Sequence, residues 1–281
     1  MQRISFLFLV ITISFSFFPI LAEEKPTPPG PPKEGYYIIT YKNYGINLEI
    51  NVNGYDVRDG SSNEDSSGQA DINYWILPEK NKIKIRLTEQ KGKQKENTGI
   101  SKEAEVKLFI GQKGQFPDEG ILLEHYHWPT STKDRLGEWT EIEINTPFVP
   151  PSQLWKQAEA ITLSKEKESS ILTFAKEFTK TLNSKDAKQI LTWIQFRVQD
   201  TSEVRYYPFV EAEELKSISG MTKAIGSSWK LETKDIRFSL ICNNQIVSVT
   251  NKKGEPIIAS KKGAAIPLYL SWIGGKWVIV R

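Results

Sequence analysis

Residues 46–57 read Ile-Asn-Leu-Glu-Ile-Asn-Val-Asn-Gly-Tyr-Asp-Val. From Ile46 to Val52 apolar and polar side chains alternate with period two. On a pleated strand this sends Ile46, Leu48, Ile50 and Val52 to one face and Asn47, Glu49 and Asn51 to the other. Asn53-Gly54 follows at once, and an Asn-Gly pair suits the positive-φ positions of a type I′ hairpin turn. A half-buried strand closed by a tight turn is the unit of an antiparallel sheet. The neighbouring sequence repeats it. Tyr36 to Tyr41 is dense in aromatic and β-branched residues, and Ile83, Ile85 and Leu87 alternate with Lys82, Lys84 and Arg86. Val106 to Ile110, Ile121 to Trp128 and Trp139 to Ile144 read as further strands, and Asp59 to Gly68 (DGSSNEDSSG) reads as a polar loop. Seven or so short strands at this spacing, without a helical pattern, predict an antiparallel β-sandwich over residues 36–146.

The string at 46–57, taken with INYWILPEKNKIKIRL at 72–87, resembles galactose-binding-like jelly rolls and related sandwich modules. Asn53 and Gly54 match the turn that ends a strand, and Pro78 and Asn81 match the proline-led turn before the next one. The resemblance concerns turns and fold and marks no ligand site.

Thr146 to Pro151 (TPFVPP) punctuates the chain, and the periodicity changes after it. Leu154, Ala158 and Ile161, then Ile171, Phe174, Ala175, Phe178 and Leu182, follow helical spacing. The charged interval Ser164 to Ser170 is either a solvated stretch of one long helix or a kink between two. Ser184 is positioned to cap a second helix running to about Phe196, with Ile190, Leu191 and Ile194 inward. A short extended piece, Arg197 to Tyr207, precedes a third helical pattern from Phe209 to Ile225. Strands are then expected at Leu231 to Cys242, Gln245 to Thr250, Ala265 to Ile273 and Lys276 to Val280, with Gly274-Gly275 turning the last hairpin. This order, closed by Trp272, Gly275, Lys276 and Trp277, resembles the nuclear-transport-factor-2-like, cystatin-like fold, in which a curved sheet wraps helices into a cone. The expected fold class is therefore α+β overall. An N-terminal antiparallel β-sandwich is followed, over residues 152–281, by an α+β cone of three helices against a curved four-stranded antiparallel sheet.

The N-terminus indicates where the chain works. Arg3, the apolar run Ile4 to Phe18, and Pro19-Ile20-Leu21-Ala22 before Glu23-Glu24 have the order of a secretory signal peptide at residues 1–22, cleaved near Ala22. The run is shorter than the ~20 residues of a membrane span. Residues 23–35 (EEKPTPPGPPKEG) carry five prolines and read as an extended linker. Some 260 of the 281 residues follow the leader, enough for two domains with their own cores. A single cysteine, Cys242, excludes an intramolecular disulfide, and no Asn-x-Ser/Thr acceptor is present. Periplasmic or secreted localisation in a bacterial envelope is expected. The net charge of +3 hides an asymmetry: residues 23–151 hold 16 Lys and Arg against 21 Asp and Glu (−5), and residues 152–281 hold 20 against 13 (+7). Docking of the two halves is the simplest use of that difference.

The resemblance to the cone fold raises the question of chemistry, because that family includes isomerases and dehydratases with a carboxylate base and Tyr or His partners in the cavity. Asp200, Glu203 and Tyr206 fall in the matching stretch, with Asp200 or Glu203 as base and Tyr206 as donor, and the C-terminal half has no histidine. Both histidines lie in Glu124-His125-Tyr126-His127-Trp128, where His125 and His127 share one strand face. They could begin a metal site, but a zinc centre wants three or four ligands and no second His or Cys cluster exists. If the strand faced the other way, Tyr126 and Trp128 could stack on a sugar. Phosphate-loop and nucleophile-elbow patterns are missing. The lysine runs at 91–95 and 252–262 lack interleaved aromatics, so no nucleic acid is expected, and no cofactor signature is found. The sequence thus predicts a non-catalytic binding protein whose partner is an envelope protein or a small apolar or sugar ligand. A cone-fold enzyme and a carbohydrate-binding sandwich are the alternatives.

Overall fold

The computed structural model of the chain describes residues 34–90, 102–129 and 135–281. The apolar leader, residues 23–33 of the proline-rich stretch and the lysine run at 91–95 lie outside the described residues. Eight strands come first: β1 (Tyr36–Tyr44), β2 (Ile46–Val52), β3 (Tyr55–Asp59), β4 (Ser66–Asp71), β5 (Asn81–Glu89), β6 (Glu103–Gly111), β7 (Ile121–Trp128) and β8 (Trp139–Ile144). They form two four-stranded antiparallel sheets, ordered β4-β1-β6-β7 and β3-β2-β5-β8.

Register explains why the alternating segments meet. Leu48 lies opposite Leu87, Ile50 opposite Ile85 and Val52 opposite Ile83, so two apolar rows fall on one face. They join Tyr37 and Ile39 of β1 and Ala104, Val106, Leu108 and Ile110 of β6 in one buried cluster between the sheets, a sandwich-like arrangement. The expected loop at 59–68 ends earlier than its composition suggests, because Ser66-Ser67-Gly68 begin β4 and pair with Asn43, Lys42 and Tyr41. A partner strand can order polar residues that local propensity leaves undecided.

The Asn-Gly turn does more than reverse the chain. Asn53 (φ 52) donates through Nδ2 to the Trp75 carbonyl at 2.6 Å and to Asn81 Oδ1 at 2.7 Å, and accepts the Lys82 amide at 2.9 Å. Asn81, 1% exposed, accepts the Leu77 amide and donates to the Leu77 carbonyl and Thr146 Oγ1. Gly54 has φ 97, and a Cβ there would lie 2.7 Å from Ile241. The turn therefore needs glycine both for its backbone and for the approach of the C-terminal half.

That half is α+β. It contains α1 (Gln153–Gln157), α2 (Lys165–Ser184), α3 (Ala187–Val204) and α4 (Glu211–Ile225). Seven strands follow: β9 (Trp229–Leu231), β10 (Ile236–Ile241), β11 (Ile246–Asn251), β12 (Ile258–Ser260), β13 (Ala265–Ile266), β14 (Leu268–Ile273) and β15 (Lys276–Ile279). The sheets are ordered β10-β11-β14-β15 and β13-β12-β9. Ile171, Ala175, Phe178 and Leu182 of α2 and Ile190 and Leu191 of α3 bury against Val247, Val249, Leu268, Leu270 and Ile279 of the four-stranded sheet. Four helices are present among the described residues, one more than the expected three. No described helix is long and apolar enough to cross a membrane.

Helix boundaries differ from the sequence reading in three places. The break in the first helical pattern falls at 158–164, and the charged interval forms the start of α2, where the Ser164 hydroxyl accepts the Lys167 amide at 3.3 Å. Glu166 and Glu168 in that first turn suit the positive end of the helix dipole. Asp186, not Ser184, caps α3, accepting the Lys188 and Gln189 amides at 3.0 and 3.1 Å. Residues 197–204, expected to be extended, continue α3. No glycine or proline interrupts the chain from 187 to 207, and Asp200, Ser202 and Val204 are buried at its end.

The halves share buried contacts. Leu154, Trp155, Ile241, Cys242, Ile246, Ile273 and Val280 belong to the same cluster as the sandwich interior. The Cys242 amide donates to the Asn53 carbonyl at 2.7 Å, and Asn73 Nδ2 donates to the Val204 carbonyl at 3.2 Å. Asp71, from the acidic half, pairs with Arg205, from the basic half, at 3.0 Å.

Candidate functional site

The site is assembled at the end of α3. Asp200, 1% exposed, points its carboxylate at the start of α1, accepting the Gln153 and Leu154 amides at 2.6 and 3.1 Å and the Ser152 hydroxyl at 2.9 Å. A short helix whose first amides lack partners is thereby capped by a side chain 46 residues away. The charge on Asp200 is met by Arg281, whose Nη1 donates to Oδ2 at 2.6 Å. Arg281 Nε and Nη2 donate to the Tyr74 carbonyl at 3.1 and 2.9 Å, and Nη1 also reaches the Val280 carbonyl at 2.8 Å. Its guanidinium carbon sits 5.6–5.9 Å from the ring centres of Tyr74, Trp75 and Trp155. The pair is buried and hydrogen-bonded on both sides, which is the condition under which a buried ion pair persists, with the charge of Arg197 on α3 near enough to Arg281 to oppose it.

Beside this pair a cleft of about 620 Å³ opens to solvent, within the ~300–1,000 Å³ range of small-molecule sites. Gln153 and Gln157 of α1 form one wall. Phe196, Gln199, Asp200 and Glu203 of α3 form the other, and Tyr207, Pro208 and Phe209 form the rim. Each wall follows helical geometry, with Gln153 and Gln157, and Gln199 and Glu203, each one turn apart. Tyr207 is 40% exposed. Among the described residues, the side chains of Gln153, Gln157, Gln199 and Glu203 have no hydrogen-bond or ion-pair partner within the protein.

The rim is held by the sandwich-like half. Tyr206, at φ 56, donates through its hydroxyl to the Gly35 carbonyl at 3.1 Å and packs edge-on against Tyr36, with ring centres 5.4 Å apart. The Tyr36 hydroxyl donates back to the Arg205 carbonyl at 2.7 Å. Burial pushes the Tyr206 hydroxyl well above the usual tyrosine range. It stays a neutral donor to a backbone carbonyl.

The residues singled out from sequence thus fall in two places. Asp200 and Glu203 line the cleft, Asp200 as the buried floor and Glu203 as an exposed carboxylate; Tyr206 stands behind the rim. Tyr126 is 7% exposed and buried among the sandwich residues, and Trp128 packs against the same cluster. His125 and His127 lie on the outer face, where His125 Nε2 is 2.8 Å from Glu105 and His127 Nε2 is 3.3 Å from Glu103. Lys42 pairs with Glu103 at 2.9 Å and Glu105 at 3.4 Å, and Lys107 pairs with Glu105 at 2.9 Å. Partial burial opposes ionisation of Glu105, but hydrogen bonds from Lys107 and His125 and the nearby lysine charges prevail and hold its carboxyl at about 2. No group of three or more His, Cys, Asp or Glu among the described residues is placed to hold a metal. Cys242 is 1% exposed, and burial pushes its thiol up to about 12, with the Arg281 charge opposing.

The sequence reading missed Gln153, Gln157, Phe196, Gln199, Phe209 and Arg281, and named Tyr207 only as a neighbour of Tyr206. The spacing 196, 199, 200, 203 was available and describes one helix face once α3 is allowed to continue. The Tyr-Tyr-Pro-Phe string at 206–209 was equally visible. Arg281 carried no signal, because its partner is 81 residues away. Comparison with protein-family models, curated proteins and solved structures finds no match to this chain.

Proposed function

We propose that this chain is a non-catalytic binding protein of the cell envelope or the secreted pool, and that the α1–α3 cleft is its ligand site. One observation carries the reading. The buried carboxylate of the cleft is fully engaged by Arg281, Ser152 and two backbone amides, while the open walls offer aromatic faces and amide side chains to a ligand. A general base needs a lone pair within reach of substrate; Asp200 directs its oxygens into the protein, and Glu203, the cleft's one free carboxylate, we read as a contact for ligand. Tyr206, the other half of a base-and-donor pair, uses its hydroxyl to donate a hydrogen bond to the Gly35 carbonyl. Export rests on the leader at residues 1–22.

We read the C-terminal half as nuclear-transport-factor-2-like, supported by the order of α2, α3 and α4 before an antiparallel sheet that packs on them. We read the N-terminal half as one of the sandwich modules related to galactose-binding-like domains, supported by the turns at Asn53-Gly54 and Pro78–Asn81. Here β1 pairs with β4 and β6, whereas the first and last strands of a jelly roll are neighbours; this order favours the related modules over a jelly roll proper.

Native mass spectrometry of the chain purified from its own envelope extract tests the binding role. A non-covalent adduct on the wild-type protein that disappears in Phe209→Asp is the expected result. An adduct that survives in Phe209→Asp, or none at all, removes the cleft from consideration. Cleavage of the leader is checked by N-terminal sequencing: Glu23 is expected as the first residue, and a start at Met1 or Gln2 contradicts cleavage.

A further inference from the structure

The chemistry of the cleft walls narrows the class of ligand, on the premise that the cleft is the binding site. We infer that it takes a neutral, hydroxyl-rich ligand, a short saccharide whose ring lies on Tyr207 and Phe209. Three features lead there. The rim supplies flat apolar faces, with Tyr207 40% exposed and Phe209 partly exposed beside it. Such faces suit the C–H side of a sugar ring, as amphipathic aromatics do at wet interfaces. The facing walls then present three amides, Gln153, Gln157 and Gln199, and one carboxylate, Glu203, all without partners inside the protein among the described residues. A sugar hydroxyl both donates and accepts. An amide answers it with a carbonyl oxygen and an NH₂, and a carboxylate accepts from it, so these four groups match a row of hydroxyls.

Charge supplies the third feature. No lysine or arginine lines the cleft, and Glu203 is its one carboxylate without a counter-ion, since Asp200 is paired with Arg281; Arg197 of α3, close to Arg281, is not among the lining residues. A phosphate or carboxylate ligand would enter without a counter-ion and against that charge. A cationic ligand would gain from Glu203 and the rings but would leave the three amides without fitting partners.

Titration calorimetry of the full exported chain with maltotriose, cellotriose and chitotriose tests the inference, alongside a lysine-containing tripeptide and a quaternary ammonium compound. Saturable binding of at least one trisaccharide is expected, with little change between low and high salt. Tyr207→Ala should weaken it roughly tenfold and Gln157→Ala several-fold, while His125→Ala on the distant sheet face leaves it unchanged. Circular dichroism should show both cleft variants folded as the wild type. Failure of all three saccharides overturns the inference. Binding of the peptide or ammonium probe with loss in Tyr207→Ala overturns the saccharide class while leaving the cleft as the site. Saccharide binding that both cleft variants retain overturns the placement of the site.

Discussion

Two clusters of ionisable side chains make opposite use of the same chemistry. On the outer face of β1, β6 and β7, Lys42, Glu103, Glu105, Lys107, His125 and His127 form a ladder of contacts between 2.8 and 3.4 Å. At the meeting of the two halves, Asp200 and Arg281 form one contact of 2.6 Å, with side chains 1% and 4% exposed. The ladder has more members and more contacts, yet each member can exchange its partner for water at little cost. Asp200 and Arg281 have no such alternative, so removal of either strands the other in a low-dielectric setting. The lesson is that burial, not the number of charged neighbours, decides which cluster holds the fold together. The candidate cleft lies against the buried pair, with Asp200 in its lining.

The difference can be broken most severely at Asp200. Asp200→Ala leaves the buried Arg281 charge without its counter-ion, and Ser152 and two helix amides without an acceptor, and should lower stability by about 3–5 kcal/mol, read as a reduced midpoint in urea with an unchanged slope. A loss under about 1 kcal/mol would place the buried pair with the surface ladder. Gly54→Ala comes next. Its Cβ meets Ile241 at 2.7 Å and its backbone is left-handed, so packing strain of about 1–3 kcal/mol is expected and can be measured by the same titration. Tyr37→Phe tests a buried neutral group. The Tyr37 hydroxyl donates to the Phe148 carbonyl and accepts the Phe148 amide at 3.1 Å, so the variant should cost about 1–3 kcal/mol. Burial raises the Tyr37 hydroxyl to about 12, with the Phe148 bond opposing. Its stabilising contribution should therefore be present below pH 10 and fall away as pH rises toward 12, and the melting temperature should fall less steeply over that range in Tyr37→Phe than in the wild type, both sharing the losses of the other buried tyrosines.

The smallest effect belongs to the ladder. Glu105→Gln should cost less than about 1 kcal/mol at neutral pH. The Glu105 carboxyl is depressed, so its contribution is present above the unfolded value near 4.5 and is lost as pH falls toward about 2. A melting profile from pH 5 to pH 2 should fall less steeply in Glu105→Gln than in the wild type. An identical slope would show that the ladder contributes nothing to the native state.

The sandwich-like half was legible in residues 46–57 because a period of two and an Asn-Gly turn are local signals. The alternation of Ile83, Ile85 and Leu87 then settled which rows would face each other. The helices were legible from Ile171, Phe178 and Ile190, whose spacing depends on a few neighbours only. The end of α3 was not, since Asp200 reads as a loop residue until its partners at 152–154 and 281 are brought to it. The cleft was half visible: Asp200 and Glu203 stood out as carboxylates, whereas Gln153, Gln157 and Gln199 had no mark distinguishing them from any surface glutamine.

What the chain determines by itself is therefore the apolar faces of most of its elements and the turn at Asn53-Gly54. Each of these depends on residues within a turn or two of one another. What only the tertiary structure decides is the role of the charged and polar residues. Whether Asp200 is a base or a cap, and whether His125 and His127 gather a metal or face Glu105 and Glu103, depends on groups far away in sequence. Burial and long-range pairing set the energy of a charge, and neither is encoded in its neighbours along the chain.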